Sequence, residues 1–104
     1  MTRAGEIEKA FSTGTVVTGR FAVLRIVPSA CGFGHAVVSG KRLGKATVRN
    51  RLRRRWREVV RRGPPLRDGC FVVVVVRGRT AEASFQELTA EWERLVRGAG
   101  LTRP

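Results

Sequence analysis

The chain has 104 residues, 42% of them hydrophobic, which is enough for one modest core and argues against disorder. Its 21 Lys and Arg against 8 Asp and Glu give a net charge of +13, which favours a polyanionic partner such as nucleic acid. The sequence has no apolar run long enough for a membrane span and no apolar secretion signal, so we expect a cytoplasmic, single-domain protein over residues 1–104 that does not act at a membrane.

The first predicted element is a short helix over residues 3–11. Ile7, Ala10 and Phe11 fall on one side of it at helical spacing. Gly14 is a typical residue for ending such a helix. The apolar side indicates that the helix packs on the rest of the domain.

Two strands are predicted next. Residues 20–27 alternate between two mostly apolar faces, which indicates a strand covered on both sides except where Arg25 emerges. A second strand, over 35–39, follows a glycine-containing turn at 31–34. The two strands are therefore predicted to form a hairpin.

The segment from Lys45 to Arg62 predicts a strongly basic helix. It holds nine basic residues and a single acid, Glu58. Like charges three or four residues apart destabilise a helix, so a bound polyanion is the expected reason for this composition. At about 100° per residue, one arc of the helix is apolar and the arginines lie outside it. The apolar arc consists of Val48, Leu52, Trp56, Val59 and Val60.

A core strand and a packing helix complete the predicted fold. The run at 70–76 is rich in valine and has no polar face, which is typical of a strand in the middle of a sheet. Ser84 and Glu87 form a capping box that opens an amphipathic helix. The acids of this helix, Glu87, Glu91 and Glu93, are predicted to be solvated and turned away from the polyanion. The order α-β-β-α-β-α predicts an α+β sandwich of helices on a sheet.

No catalytic or metal site is visible in the sequence. Cys31 and Cys70 are far apart and His35 is the single histidine, so no metal-ligand spacing can be assembled. We expect both cysteines to be reduced interior residues and His35 to be a strand or surface residue. Composition alone favours a structural RNA-binding protein of the ribosomal type. A basic helix lying on an anionic membrane is a weaker alternative, because Trp56 and the valines are needed for the core.

The basic loop and helix resemble a known signature. The stretch SGKRLGKATVRNRLRRRWREVV, residues 39–60, is similar to that of the bacterial ribonuclease P protein component. In that family a lysine-containing loop and a glycine precede a helix that opens with RNR. A proline-rich turn, a valine-rich strand and a helix after Ser84 extend the resemblance over about residues 6–100.

The resemblance implies a function within a ribonucleoprotein endoribonuclease. In that family the catalytic centre is RNA, and the protein helps it to remove the 5′ leader from precursor tRNA, with Mg²⁺ bound mainly by the RNA. For this chain it implies the catalytic RNA and precursor tRNA as partners and no catalytic residue in the protein. It also implies a left-handed crossover from the second strand through the basic helix to the core strand, against the usual right-handed rule.

The resemblance further implies two regions of RNA contact. A cleft between the first helix and the sheet would hold the single-stranded leader, with Ile7, Phe11 and Arg25 as lining residues. The family often has aromatic residues where this chain has Ile7 and Arg25, so the expected preference for precursor over mature tRNA is small. The basic loop and helix would face the catalytic RNA and the substrate near the cleavage site. The predicted RNA-binding residues are Lys41, Arg42, Lys45, Arg49, Asn50, Arg51, Arg53, Arg54, Arg57 and Arg61.

Overall fold

The computed structural model of the chain describes residues 3–28 and 34–102, without the side chains of residues 3, 4, 6 and 41. The α+β class and the predicted order of three helices and three strands are confirmed, and a fourth, short strand that the sequence did not predict follows the first helix. The elements are α1 (Arg3–Thr13), β1 (Thr15–Thr18), β2 (Ala22–Pro28), β3 (Gly34–Val38), α2 (Ala46–Arg62), β4 (Cys70–Val76) and α3 (Phe85–Gly98), with 3-10 turns at Lys41–Leu43 and Gly78–Glu82.

The four strands form one sheet in the order β1-β2-β4-β3. β2 is antiparallel to both β1 and β4, whereas β3 is parallel to β4. The predicted hairpin between the strands at 20–27 and 35–39 is therefore wrong, because β4 lies between them. The alternation of side chains identifies a strand but not its partner. β4 can lie in the middle of the sheet because its residues are apolar on both faces and are covered by helices on each side.

β3, α2 and β4 form a parallel β-α-β crossover. The chain leaves β3 at Val38, passes through α2 and returns as β4, so that Val38 lies opposite Val75 in the parallel register. This is the unit that the family resemblance implies. Its left-handedness stays a prediction.

Both faces of the sheet are covered. α2 and α3 bury one face, where Trp56 and Trp92 are fully enclosed. α1 covers the other face, where Ala10 packs with Val27 and Phe71. Since all but one of the β4 residues are buried, the predicted core strand is confirmed. The basic helix is thus held between the sheet and α3 by its apolar side.

Two glycines permit close contacts that hold the ends of these layers together. A Cβ at Gly19 would lie 2.9 Å from the Leu95 Cδ1 atom and 2.7 Å from the carbonyl oxygen of Ala22. A Cβ at Gly63 would lie 2.6 Å from the Trp92 Nε1 atom. No larger residue fits either position without moving its neighbours, so both chain turns lie tightly against α3.

The acids of α3 differ in their surroundings. The capping box is confirmed, since the Glu87 backbone N–H donates to Ser84 Oγ and the Ser84 backbone N–H donates to the Glu87 carboxylate. Glu91, predicted to be solvated, is only 5% exposed. Its carboxylate accepts hydrogen bonds from the backbone N–H groups of Arg20, at 2.6 Å, and Phe21, at 2.8 Å. These backbone donors explain how a charged side chain can be buried there.

Candidate nucleic-acid interface

The apolar side of α2 fixes the orientation of its arginines. Leu52, Trp56, Val59 and Val60 are buried as predicted, whereas Val48, in the first turn, is 37% exposed. Trp56 is locked further because its Nε1–H donates to Thr80 Oγ1 at 3.0 Å. The opposite side of the helix consequently points outward.

The predicted RNA-binding residues of α2 lie on its outward side and on one flank. Asn50, Arg51 and Arg54 line a shallow surface hollow of about 280 Å³ together with Thr47. Arg57 and Arg61 are exposed, whereas Arg49 and Arg53 are half-buried. Arg53 donates to the side-chain oxygen of Asn50. The Nε–H groups of Arg49 and Arg53 have no acceptor in the described part of the chain.

One arginine of α2 has a structural role instead. Arg55 donates to the backbone carbonyl oxygens of Thr80, at 3.0 Å, and Ala83. These bonds tie α2 to the turn that precedes α3. Arg55 was not among the predicted RNA-binding residues, and its bonds explain why one more positive charge on this helix need not face RNA.

The last turn of α2 is partly neutralised. Glu58 contacts Arg61 Nη2 at 2.5 Å and Arg62 Nε at 2.6 Å. The hydrogen bond from Arg61 lowers the pKa of Glu58, and the same bond raises the pKa of Arg61, because each stabilises the charged form of the other. In residues 3–28 and 34–102, no acid pairs with the arginines of the first three turns. The strongest uncompensated charge therefore lies at and before Arg57.

The basic loop before α2 continues this surface. Arg42 and Lys45 are exposed, and the side chain of Lys41 lies outside the described residues. Gly44 has a φ of +118°, a conformation that favours glycine and that lets the loop turn into the helix. Lys45 caps α2 without a side-chain hydrogen bond, and the first turn has no acid. The start of the helix thus adds the positive end of its dipole to the basic loop.

A groove of about 340 Å³ runs beside β3. β3 lies at the edge of the sheet, so within the described part of the chain one side of its backbone has no strand partner. Ile7 from α1 and Arg57 from α2 join residues 35–38 of β3 in lining the groove. One predicted leader-cleft residue therefore lies beside one predicted RNA-binding residue.

Phe11 and Arg25 contact each other and do not line this groove. The Arg25 guanidinium lies 4.9 Å from the centre of the Phe11 ring and donates to the Phe11 carbonyl oxygen at 3.3 Å. Phe11 is nevertheless 46% exposed. The three predicted leader-cleft residues thus lie in two places. Ile7 lines the groove beside β3, and Phe11 and Arg25 form a cation-π pair outside that groove.

The side chains that the structure describes form no cluster suited to Mg²⁺. No three His, Cys, Asp or Glu side chains come together where a metal ion could bind, as far as residues 3–28 and 34–102 show. Cys70 is buried, and desolvation raises the pKa of its thiol. Cys31 lies outside the described residues. Among the helices that the structure describes, none has the length and apolar character needed to cross a membrane.

Comparison with known proteins identifies the family. The family model described as Ribonuclease P matches residues 1–100 of the chain. The chain belongs to the ribonuclease P protein family. This membership decides between the functions that the sequence left open, and favours a ribonuclease P subunit over a structural protein of the ribosomal type.

Individual ribonuclease P proteins agree with this assignment. The protein component from Symbiobacterium thermophilum is 37% identical over 97 residues, which cover 90% of this chain and 84% of the relative. The component from Chloroflexus aggregans is 36% identical over 106 residues, covering 95% and 76% of the two chains. The chain is thus the protein subunit of a ribonucleoprotein that processes tRNA and works with an RNA subunit.

Solved ribonuclease P proteins share the fold. The Thermotoga maritima protein superposes with a TM-score of 0.78 at 24% identity, over 93% of this chain and 94% of that one. The Staphylococcus aureus protein superposes with a TM-score of 0.79 at 18% identity, over 99% and 96%. The arrangement of three helices on a four-stranded sheet is therefore common to proteins that have diverged widely in sequence.

Proposed function

We propose that this subunit assists a catalytic RNA in removing the 5′ leader from precursor tRNA in the cytoplasm. α2 binds the RNA subunit and the substrate near the cleavage site, and the surfaces beside α1 hold the leader. The observation that carries this proposal is the outward side of α2. In the described part of the chain, the arginines of α2 up to Arg57 have no acid partners. The buried opposite side of the helix holds them in a fixed orientation.

The protein contributes binding and positioning, and the RNA contributes the catalytic centre. Arginine side chains at the junction of two RNAs neutralise phosphates that would otherwise repel each other. We assign Mg²⁺ to the RNA, since the described side chains form no metal-binding cluster. Because the mature product lacks the leader, contacts with the leader favour substrate over product and allow the product to leave.

Reconstitution tests the proposal. Purified protein is added to a bacterial ribonuclease P RNA, and cleavage of precursor tRNA is measured at low Mg²⁺ concentration. We expect the protein alone to be inactive and the complex to be much faster than the RNA alone. Cleavage by highly purified, RNA-free protein would contradict the assignment of catalysis to RNA, and a complex no faster than the RNA alone would contradict the assisting role.

The arginines of α2 are expected to contribute phosphate contacts. Arg49→Ala, Arg53→Ala and Arg57→Ala should each weaken binding to the RNA subunit. Each should also reduce the slope of log affinity against log salt concentration by up to about one unit, because one phosphate contact fewer releases fewer counterions. Binding is measured by titration at several salt concentrations.

Two control variants separate local contact from total charge. Arg97→Ala removes an equal charge from an exposed position on α3 and should leave the slope unchanged. Arg55→Ala removes the bonds to Thr80 and Ala83. It should therefore lower the melting temperature and leave the slope of log affinity against log salt concentration nearly unchanged. If the α2 variants and Arg97→Ala gave the same slope, the RNA would not contact this side of α2.

Phe11 is expected to recognise the leader. Phe11→Ala should reduce the affinity of the complex for precursor tRNA by about 1–3 kcal/mol, the usual contribution of one stacked base. Binding to mature tRNA should hardly change. The measurement is the ratio of the two dissociation constants at one fixed salt concentration.

Two further substitutions distinguish stacking from apolar burial at Phe11. Phe11→Trp keeps an aromatic face and should preserve the ratio, whereas Phe11→Leu keeps apolar volume and should lose much of it. Arg25 covers one side of the ring, so the exposed part is the surface available to a base. An unchanged ratio in Phe11→Ala would mean that the leader binds elsewhere.

A further inference from the structure

A second groove, of about 490 Å³, lies at the end of α2. We call it the proline groove. Its volume falls within the roughly 300–1,000 Å³ that is typical of small-ligand sites. Val60 and Leu66 are buried, whereas Arg57, Arg61 and Pro65 are exposed. The lining residues are His35, Arg57, Val60, Arg61, Gly63, Pro64, Pro65 and Leu66.

The proline groove is preformed. Gly63 lies directly against Trp92, where a Cβ would be 2.6 Å from the Nε1 atom, so the turn out of α2 is tightly packed. The next two residues are Pro64 and Pro65, and the proline ring fixes the φ angle of each. Beyond them, Leu66 forms an isolated antiparallel bridge with Thr102, and Arg67 N–H donates to the Leu101 carbonyl oxygen at 2.8 Å. A ligand would therefore bind with little ordering of the protein, which favours affinity.

The proline groove adjoins the groove beside β3. His35 and Arg57 line both of them. A strand of RNA lying along β3 next to Ile7 can therefore pass Arg57 and reach Pro65 while staying within the two adjoining grooves. This continuity indicates that the two grooves serve one extended ligand.

The chemistry of the proline groove suits a nucleotide. The proline rings, together with the small exposed parts of Val60 and Leu66, offer apolar surface to the flat face of a base. Arg57 and Arg61 offer guanidinium groups to the flanking phosphates. Arg61 already pairs with Glu58, but Glu58 also contacts Arg62 at 2.6 Å. Arg61 can therefore turn to a phosphate while Glu58 keeps a partner.

We propose that the proline groove binds one unpaired nucleotide of the leader, adjacent to those held beside β3. This inference rests on the proposed function, since it needs a single-stranded leader bound along β3. It adds a contact at the α2–β4 turn to the contacts at Ile7 and Phe11. The affinity for precursor tRNA should therefore rise when the leader is lengthened enough to reach Pro65.

The main test is Pro65→Glu in the reconstituted complex. The added carboxylate repels the phosphates of a nucleotide in the groove, while the exposed position leaves the core intact. Precursor tRNA with a long leader should bind about tenfold more weakly, a change that corresponds to about 1.4 kcal/mol. Precursor with a leader too short to reach the groove, and mature tRNA, should bind as they do to the unmodified protein.

Two controls isolate the introduced charge at this position. Pro65→Gln makes the same backbone change without charge, and Gln86→Glu makes the same charge change at an exposed position on α3. Gln86→Glu should leave binding of all three RNAs unchanged. Pro65→Gln removes the proline ring and should weaken binding of the long leader only, by less than Pro65→Glu does. Removing single bases from the long leader provides a second measurement: one abasic position should weaken binding to the unmodified protein but have no further effect with Pro65→Glu.

The outcomes separate this inference from the proposed function. If Pro65→Glu binds the long leader as tightly as Gln86→Glu does, or no abasic position weakens binding to the unmodified protein, the proline groove binds no leader nucleotide. If Pro65→Glu weakens mature tRNA or the RNA subunit equally, the groove contacts another RNA and the inference is wrong. If the unmodified complex fails to accelerate cleavage of precursor tRNA, the proposed function itself has failed.

Discussion

Trp56→Ala is expected to lower the free energy of unfolding by about 3–5 kcal/mol, the usual cost of removing a large buried aromatic side chain. Trp56 is fully buried between α2, α3 and the sheet. Its loss leaves a cavity and removes the hydrogen bond from Nε1 to Thr80 Oγ1. Thr80 in turn donates to the Phe21 carbonyl oxygen at 2.8 Å, so the substitution disturbs a chain of contacts from α2 to the sheet.

The second buried tryptophan supplies a matched comparison. The Trp92 Nε1–H group has no acceptor among the residues that the structure describes, unlike that of Trp56. Trp56→Phe loses ring volume and a hydrogen bond, whereas Trp92→Phe loses ring volume and removes an unsatisfied donor. Trp56→Phe should therefore cost about 1 kcal/mol more than Trp92→Phe.

Chemical denaturation of the three tryptophan variants measures these differences. The midpoint should fall most for Trp56→Ala, and the salt dependence of RNA binding should stay unchanged at temperatures where each variant is folded. Equal stability of Trp56→Phe and Trp92→Phe would show that the bond to Thr80 contributes nothing. A loss of salt dependence in folded Trp56→Ala would mean that the tryptophan itself contacts RNA.

The basic helix α2 could be predicted from sequence because its signals are local. The spacing of Leu52, Trp56 and Val59 defines a buried side, and the arginines between them define the outward side. Gly63 and the two prolines mark the end of the helix, which the structure has at Arg62. Local spacing places Arg55 beside the apolar side of the helix but does not identify its partners, since the carbonyl groups that bind it are contributed by residues 80 and 83.

The strand partners and the grooves depend on contacts distant in sequence, so the sequence could not predict them. β3 and β2 were expected to pair because they are neighbours in the chain, yet both pair with β4. β1 has only four residues and is mostly exposed, which leaves too short a pattern to identify. The proline groove arises only where the end of α2 meets the start of β3. The family resemblance implied the roles of Ile7, Phe11 and Arg25 but not the pairing of the last two.

Glu91 is the clearest case of a residue whose role depends on distant contacts, and it yields the second large effect. Its spacing on α3 is that of a surface acid, but its carboxylate lies against the turn between β1 and β2. Glu91→Ala should lower the free energy of unfolding by about 3 kcal/mol, since it leaves the backbone N–H groups of Arg20 and Phe21 without an acceptor at positions partly or fully shielded from water.

Glu91→Gln refines this prediction, because an amide has one oxygen where the carboxylate has two. It should keep one of the two hydrogen bonds and turn an N–H₂ group toward the other backbone donor, so we expect a loss of stability close to that of Glu91→Ala. Glu93→Gln makes the same charge change at a half-exposed position on the same helix and should be nearly neutral. Thermal melting of the three variants at one pH gives the comparison. If Glu91→Gln melted at the same temperature as Glu93→Gln, the charge and the second hydrogen bond of Glu91 would contribute nothing to stability. If Glu91→Ala did so as well, both bonds to the β1–β2 turn would be dispensable.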